Sequence, residues 1–186
     1  MQKQNGFIGK KIVLGVCSSI AAYKACEIVS ALVRAGAQVR VVMTENACKL
    51  VSPRVFQTLS RNPVAVTMWA EVADWKPEHI ALAEWGDVLL VAPATANAIG
   101  NFANGLASDF LSTLYLAFPK KTLIAPAMNC NMLSNKAVQR NIATLKSDGA
   151  EFIEPEDGAL ACGCDGKGRL ASAEKILETL QKALEQ

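Results

Sequence analysis

The stretch DVLLVAPATANA, residues 87–98, gives the strongest indication of the fold. Its first half is almost continuously apolar, which is typical of a strand that is covered on both faces. We expect Pro93 to end this strand, and Thr95 then stands where a side-chain oxygen can cap the next helix. A second run of the same kind, KTLIA (121–125), follows two segments with helical spacing. Such strands, separated by helices, indicate a parallel sheet.

The same alternation extends to both ends of the chain. KIVLGVC (11–17) and QVRVVM (38–43) are predicted strands, and a helix capped by Ser172 is predicted to close the sequence. We therefore predict an α/β fold with a mostly parallel sheet and helices on both faces, in a single domain over residues 1–186. Residues 1–9 are expected to form a loose N-terminus.

One segment lacks this regularity. Residues 155–170, PEDGALACGCDGKGRL, contain four glycines and two cysteines and show no hydrophobic period. Structureless segments of this length in compact domains are commonly lids or binding loops. We interpret this segment as a lid loop over a substrate.

Composition narrows the classes of function. The net charge is +2 and basic residues are scattered, so nothing resembles a stripe that follows a nucleic acid backbone. Charged residues are only 19% of the chain, which favours a homo-oligomer that hides part of its surface. The apolar run before Ser18 is too short for a signal peptide, and no stretch is long enough to cross a membrane. We expect a cytoplasmic protein without nucleic acid or membrane partners, with mostly reduced cysteines.

Four polar segments follow predicted strands and should meet at one edge of the sheet. They are CSSIA (17–21), MTENA (43–47), APATANA (92–98) and APAMNCNM (125–132). Ligands of such sheets bind beyond the carboxyl ends of the strands. Ser18 and Ser19 suit a phosphate at a helix start, although one of them could simply be an N-cap. The glycine fingerprint of an NAD site is absent.

Thr95 and Asn97 offer hydrogen bonds without charge. Such groups suit a flat heterocycle that changes redox state, but a capped strand-to-helix turn explains them equally well. His79 is the single histidine and precedes a short predicted helix, where a neutral imidazole could act as a base. Cys162, in the lid loop, could donate a proton on closure. With one histidine and scattered cysteines, we predict no metal site.

Taken together, five motifs resemble the flavin-dependent cysteine decarboxylase family. They are GVCSSIAAYK, VMTENA, HIALAEWGDVLLVAPATANAIGNFANGLASDFLST, APAMNCNM and ACGCDGKGRL, and they span nearly the whole chain in the order typical of the family. The motifs are most similar to the branch that decarboxylates 4′-phosphopantothenoylcysteine in coenzyme A biosynthesis. The resemblance implies a Rossmann-like three-layer fold, FMN as the cofactor, and a trimer or dodecamer.

The resemblance also assigns roles to residues. It implies that Ser18, Ser19 and Thr44 hold the FMN phosphate and ribityl group. The residues implied to line the flavin are Pro93, Ala94, Thr95, Ala96, Asn97, Ser112 and Ala127. Asn129 is implied to hold the substrate carboxylate, with Met128 and Ala161 beside it. His79 is implied to act early in the reaction, and Cys162 to supply the late proton.

The family chemistry implies oxidation of the cysteinyl thiol carbon, loss of CO2, and return of the hydride to give 4′-phosphopantetheine. Two alternatives remain open within this scaffold: an oxidative peptidyl-cysteine decarboxylase that leaves the flavin reduced, and a non-catalytic FMN-binding regulator. The lid cysteine argues against the first, and His79 with Cys162 against the second. The sequence also contains an extra cysteine, Cys164, which could compete with Cys162. We expect any synthetase partner activity to reside on another chain.

Overall fold

A parallel sheet of six strands forms the centre of the part of the chain that the computed structural model describes, residues 5–70, 75–159, 163 and 165–185. The strands are β1 (Lys11–Val16), β2 (Gln38–Met43), β3 (Val64–Ala65), β4 (Val88–Ala94), β5 (Thr122–Pro126) and β6 (Glu151–Phe152). Their order is β3-β2-β1-β4-β5-β6, and each neighbouring pair is parallel. The predicted α/β fold is confirmed.

Eight α-helices lie within the described residues. They are α1 (Ala25–Arg34), α2 (Pro53–Ser60), α3 (Glu78–Trp85), α4 (Ala96–Ala103), α5 (Phe110–Ala117), α6 (Cys130–Ser134), α7 (Lys136–Ser147) and α8 (Ala173–Leu184). As predicted, Ser172 caps α8, its Oγ accepting a hydrogen bond from the Lys175 N–H at 3.3 Å. None of these helices is long and apolar enough to cross a bilayer.

The sheet is buried on both faces. In β1, Ile12 and Leu14 pack into the cluster that contains α1, α2 and α8. Val13, between them, packs into the cluster that contains α3, α4, α5 and α7. Successive side chains of a strand point to opposite faces, so both sets must be apolar. This explains why the strands are continuous apolar runs rather than alternating ones.

The sheet reverses its direction of growth between β1 and β4. The chain adds β2 and β3 on one side of β1 and then returns to add β4, β5 and β6 on the other. At their carboxyl ends the Cys17 N–H donates to the Pro93 carbonyl at 3.1 Å. Such reversal points leave a crevice beyond the strand ends, and ligands bind there.

Pro93 does not end its strand, contrary to expectation. β4 continues through Pro93 to Ala94, with a shift in register against β5 after Val91. Proline has no N–H to donate to a neighbouring strand, but the carbonyls here still accept bonds. The Ala94 carbonyl accepts the Ala127 N–H at 3.0 Å. The strand therefore reaches Thr95, which begins the turn into α4.

The expectation of a structureless loop over 155–170 is wrong for most of that segment. β7 (Glu156–Ala159) and β8 (Asp165–Arg169) form an antiparallel pair. Hydrophobic periodicity could not reveal them, because Gly158, Gly166 and Gly168 carry no side chain and replace the apolar positions of an ordinary strand. Residues 160–162 and 164, between the strands, lie outside the described residues.

The expectation of a loose N-terminus is wrong for residues 5–9. Phe7 is fully buried in the cluster that contains α8. The Gly9 N–H donates to the Gly36 carbonyl at 3.1 Å. An aromatic side chain that is removed from water anchors this segment to the domain. Residues 1–4 lie outside the described residues.

Candidate active site

The turn after β1 forms the first side of the candidate site. The Ser19 side chain is buried, and its Oγ accepts the Ala21 N–H at 3.3 Å, so Ser19 caps the short 3-10 turn Ile20–Lys24. Ser18 is exposed and lines the space beyond β1 and β4. Of the two predicted serines, Ser19 thus shapes the turn, and Ser18 is the more exposed one.

The turns after β2 and β4 contribute two threonines. Thr95 caps α4, its Oγ1 accepting the Ala98 N–H at 3.3 Å. The Thr44 Oγ1 accepts the Ala47 N–H at 3.2 Å in the same way. Each oxygen accepts from a local N–H, while its hydroxyl hydrogen can still be donated. Both threonines border the crevice as predicted.

The segment after β5 carries the uncharged polar groups. Asn129 caps α6, with its Oδ1 accepting the Asn131 N–H at 2.8 Å. This bond orients the Asn129 amide at the edge of the sheet. Ala127, Met128 and Asn129 all line the same cavity as Ser18 and Ser19. The structure therefore brings together the predicted contacts from three separate strand ends.

The β7–β8 hairpin is attached directly to this segment. The Met128 N–H donates to the Gly168 carbonyl at 3.0 Å. Gly168 has φ +152, and a Cβ there would collide with the Met128 carbonyl oxygen. Only glycine allows the two backbones to approach so closely. The position of the hairpin is thus coupled to the position of Asn129.

We call the space between these segments the main cavity. Its volume is about 780 Å³, within the usual range for small-molecule sites. The residues that line it are Ser18, Ser19, Ile20, Ala21, Tyr23, Lys24, Thr95, Ala96, Ala127, Met128, Asn129, Met132, Gly168, Arg169 and Leu170. Among these there are two cations, Lys24 and Arg169, and no carboxylate. The main cavity therefore favours an anionic ligand.

A smaller cavity of about 240 Å³ continues from the main cavity, since Ser18 and Thr95 line both. Its polar lining is rich in hydroxyls and amides, namely Thr44, Asn46, Thr67, Asn97 and Ser108. Asp109 also lines it, but its Oδ1 accepts the Ser112 N–H and Oγ–H, both at 2.7 Å. Glu45 is the other carboxylate of this lining.

His79 lies in a third cavity of about 230 Å³. This cavity shares Thr67, Met68 and Phe110 with the smaller cavity, and the His79 and Phe110 rings meet edge to face at 6.4 Å. His79 and Asn129 thus do not line one cavity within the described residues. They are connected through the smaller cavity along the same edge of the sheet.

Cys17 lies behind Thr95, in the wall of the smaller cavity. Burial raises the pKa of its thiol to about 12, and a hydrogen bond with the Thr95 backbone opposes this rise only in part. The thiol is therefore neutral at physiological pH. It adds no charge to the site and is a poor nucleophile.

The remaining predicted site residues either do not line these cavities or lie outside the described residues. Ser112 is 1% exposed and is engaged in a capping box with Asp109, while Pro93 and Ala94 are buried in β4. None of the three lines the cavities described above, and their contacts with a cofactor stay predictions. Cys162 and Ala161 lie outside the described residues.

Several lining residues were not predicted. The main ones are Tyr23, Lys24, Thr67, Ser108, Phe110 and Arg169. Lys24 and Arg169 belong to the motifs GVCSSIAAYK and ACGCDGKGRL, so their positions were a usable signal. Phe110 could not be found from the sequence, because a buried aromatic residue in a helix is normally part of the core.

The three linked cavities fit a flavin chemically. Beside the carboxylates Glu45 and Asp109, the polar lining of the smaller cavity consists of hydroxyls and amides. The Cys17 thiol is neutral, and the described lining of the main cavity contains no carboxylate. Uncharged donors and acceptors suit a ring system that changes redox state, and hydroxyls at helix starts suit its phosphate.

Comparison with known proteins agrees with this chemistry. The coenzyme A biosynthesis bifunctional protein CoaBC of Bacillus subtilis is 50% identical over 173 residues, 93% of this chain and 43% of that protein. The probable phosphopantothenoylcysteine decarboxylase of Streptococcus mutans is 40% identical over 177 residues, 94% of this chain and 99% of that protein. The chain thus spans less than half of the first relative and almost all of the second.

Solved structures show the same fold. A mutant of PPC decarboxylase complexed with pantothenoylaminoethenethiol superposes with a TM-score of 0.85 at 28% identity, covering 96% of this chain and 100% of that one. The FMN-dependent cysteine decarboxylase SpaF gives 0.82 at 32% identity, covering 95% and 96%. The family described as Flavoprotein matches residues 3–185. This chain therefore belongs to the Flavoprotein family.

Proposed function

We propose that this chain catalyses the FMN-dependent decarboxylation of 4′-phosphopantothenoylcysteine to 4′-phosphopantetheine. The observation that carries the proposal is the main cavity, where the Asn129 amide lies among the ends of three strands and the described lining contains no carboxylate. The names of the Bacillus and Streptococcus relatives support this reaction and its place in coenzyme A biosynthesis.

FMN is the proposed cofactor, supported by the family match and by the description of SpaF as FMN-dependent. Ser18, Thr44 and Asn97 would hold it, because they present hydroxyls and an amide to the smaller cavity. When bound, FMN supplies the oxidation and later reduction of the carbon that bears the thiol.

Asn129 would orient the substrate carboxylate. A lysine or arginine there would stabilise the charged ground state more than the transition state, in which the charge is dispersed as CO2 leaves. A neutral amide holds the carboxylate without this penalty. Its own orientation is set by the bond from the Asn131 N–H, so little reorganisation is needed when the substrate binds.

Two residues would handle protons. We assign His79 as the base or hydrogen-bond partner of the early steps and Cys162 as the late donor. In the overall reaction CO2 leaves the α-carbon, a proton takes its place, and the thiol remains. The reaction is redox-neutral, so it consumes no external reductant.

We also propose that the chain forms a homo-oligomer, a trimer or a dodecamer. Large apolar side chains are exposed near the site: Trp69 is 92%, Trp75 85% and Ile20 66% exposed. Such residues commonly mark interfaces. Light scattering on the purified protein tests this assignment, and a monomer at micromolar concentration would contradict it. The cytoplasmic location stays a prediction.

The test of the function is an anaerobic turnover experiment. Purified protein with bound flavin is mixed with 4′-phosphopantothenoylcysteine while flavin absorbance and product mass are recorded. We expect CO2, oxidised flavin at the end, and the saturated thiol. A flavin that stays reduced, with an unsaturated thiol product, would indicate the oxidative type of decarboxylase. Bound flavin without any turnover would indicate a non-catalytic protein.

Cys162→Ser gives the companion prediction. Without the thiol proton donor, we expect this variant to release CO2 but to accumulate reduced flavin and the unsaturated thiol. Cys48→Ser, in the 3-10 turn Ala47–Lys49 and outside the lining of the described cavities, is the matched control and should turn over normally. Full turnover by Cys162→Ser would remove this thiol from the mechanism.

A further inference from the structure

The charge in the main cavity is not needed by any step described so far. Lys24 ends the 3-10 turn after β1 and is half-buried, and Arg169 is the last residue of β8. Both line the main cavity, which has no carboxylate in its described lining. Two positive side chains with no acid between them make a surface that attracts a strongly anionic group.

Neither of these two cations forms an ion pair within the described structure. The described salt bridges join Lys76 to Glu84, Lys120 to Asp87, and both Lys146 and Lys167 to Glu154. Neither Lys24 nor Arg169 takes part in them. Their charge is therefore available to a ligand.

Glu156 is the carboxylate that pairs with Arg169 across the hairpin. The pKa of Glu156 is lowered, first by a hydrogen bond from the Ser172 N–H at 2.8 Å and only last by Arg169. The Glu156 carboxylate is thus engaged with the backbone that starts α8. It does not come within salt-bridge distance of the Arg169 guanidinium.

A second cavity beside α6 provides an internal comparison. This rear cavity, of about 580 Å³, is lined by Cys130, Lys146, Glu154 and Lys167, among others. Its two lysines share the Glu154 carboxylate, at 3.2 and 2.9 Å. The rear cavity thus neutralises part of its charge internally, whereas the main cavity does not.

We propose that Lys24 and Arg169 bind the 4′-phosphate of the substrate and make the enzyme select phosphorylated over unphosphorylated thiols. This inference rests on the proposed function. The substrate carries two anionic groups with opposite requirements: a carboxylate that must leave and a phosphate that stays. Asn129 suits the first because it is neutral, and the two cations suit the second.

The phosphate of the cofactor has a different set of partners. No lysine or arginine is among the described residues that line the smaller cavity, where Ser18, Thr44 and Asn97 offer uncharged donors. The substrate phosphate would thus be bound by two cations, and the cofactor phosphate by uncharged donors. Arginine binds phosphate through a planar pair of N–H groups, which gives direction as well as charge.

Holding the phosphate would also serve catalysis. Binding energy from a part of the substrate that does not react can offset the cost of placing the reacting carboxylate in an uncharged site. The hairpin that carries Arg169 is bonded through Gly168 to Met128, next to Asn129. Phosphate binding at Arg169 is thus transmitted to the segment that orients the carboxylate.

The test compares two ligands and two variants. Calorimetry measures the affinity of the flavin-loaded protein for 4′-phosphopantetheine and for pantetheine, which lacks the phosphate. We expect Arg169→Gln and Lys24→Gln each to weaken binding of the phosphorylated ligand by about tenfold to a hundredfold, and to leave pantetheine binding unchanged. The KM for the phosphorylated substrate should rise in parallel.

Matched controls distinguish the loss of a cation in the main cavity from the loss of a cation elsewhere on the protein. Arg140→Gln on α7 and Lys182→Gln on α8 remove cations that do not line the main cavity, and both should bind 4′-phosphopantetheine normally. Arg169→Lys should recover part of the affinity. Equal loss for both ligands in Arg169→Gln would overturn the proposal, since it would indicate a damaged hairpin.

Other outcomes are equally decisive. A loss of bound flavin in Arg169→Gln or Lys24→Gln would assign the cations to the cofactor phosphate and overturn the proposal. Wild-type protein that binds both ligands with the same affinity would also overturn it. If wild-type protein discriminates between the ligands as expected but does not decarboxylate the substrate, the proposed function fails while the phosphate site stands.

Discussion

The main cavity and the rear cavity both adjoin α6, yet their electrostatics differ. The rear cavity holds Lys146, Lys167 and Glu154 in one ion-pair network. The main cavity holds two cations, a neutral amide and no carboxylate among its described residues. The difference teaches that a cavity alone does not indicate a site for an anion. What indicates one is positive charge that the protein does not pair internally.

The largest effect should come from a negative charge placed in the main cavity. Asn129→Asp keeps a good helix cap, so the fold should be retained. It places a carboxylate against the substrate carboxylate, and like charges in contact cost several kcal/mol. We expect kcat/KM to fall by about a hundredfold or more.

The control for Asn129→Asp is the same substitution at Asn131, which lines the rear cavity. Asn131→Asp introduces the same group two residues away, where Asn131 lines the rear cavity and its side chain is exposed. Its activity should match that of the wild type. Equal losses in both variants, measured by steady-state decarboxylation, would show that the two cavities do not differ in function.

A smaller loss of activity is expected when the β7–β8 hairpin, which contributes residues to both cavities, is displaced. An added Cβ in Gly168→Ala collides with the Met128 carbonyl and adopts a φ that alanine disfavours. We expect a loss of about tenfold in kcat/KM, because strain on the order of 1–3 kcal/mol shifts the segment that carries Asn129.

Gly149→Ala is the appropriate comparison for this variant. Gly149 also has a positive φ, of +96, but an added Cβ would meet nothing within 4 Å. It should lower the melting temperature slightly through backbone strain and leave activity intact. Loss of activity in both glycine variants would indicate that general stability, rather than the contact with Met128, is responsible.

The smallest effect concerns the ion pairs of the rear cavity. Hydrogen bonds and charge from Lys167 and Lys146 lower the pKa of Glu154. Exposed pairs contribute little, so Glu154→Gln should reduce the free energy of unfolding by about 0.5–1 kcal/mol. Glu178→Gln, on the exposed face of α8, should have no effect.

The pH dependence of this effect has a definite sign. Since folding lowers the pKa of Glu154, its contribution is fully present above the ordinary glutamate pKa and is lost as the pH falls through the folded value. Thermal unfolding of the wild type and Glu154→Gln should therefore differ at neutral pH and converge in acid. A difference that grows in acid would contradict this assignment.

Much of the fold could be predicted from local signals. Apolar runs such as 88–92 and helical spacing after them predicted the parallel sheet, and the polar segments after the strands predicted the edge that binds ligands. Ser18, Thr95 and Asn129 were predicted to lie at this edge because they occupy positions where the chain leaves a strand, and all three line the main cavity. The β7–β8 hairpin was missed, because glycines in its strands remove the side-chain pattern on which such predictions rest.

The sequence by itself determined the layer structure and the polar character of the edge beyond the strand ends, because strand and helix periods and the residues at strand ends are local properties. The tertiary structure alone decided which charges remain unpaired. Lys146, Lys167, Lys24 and Arg169 look alike in a sequence. Only packing places the first two beside Glu154 and the last two around a cavity whose described lining has no carboxylate. Whether a carboxylate neutralises a cation depends on the distance between them in space, which a linear sequence does not contain.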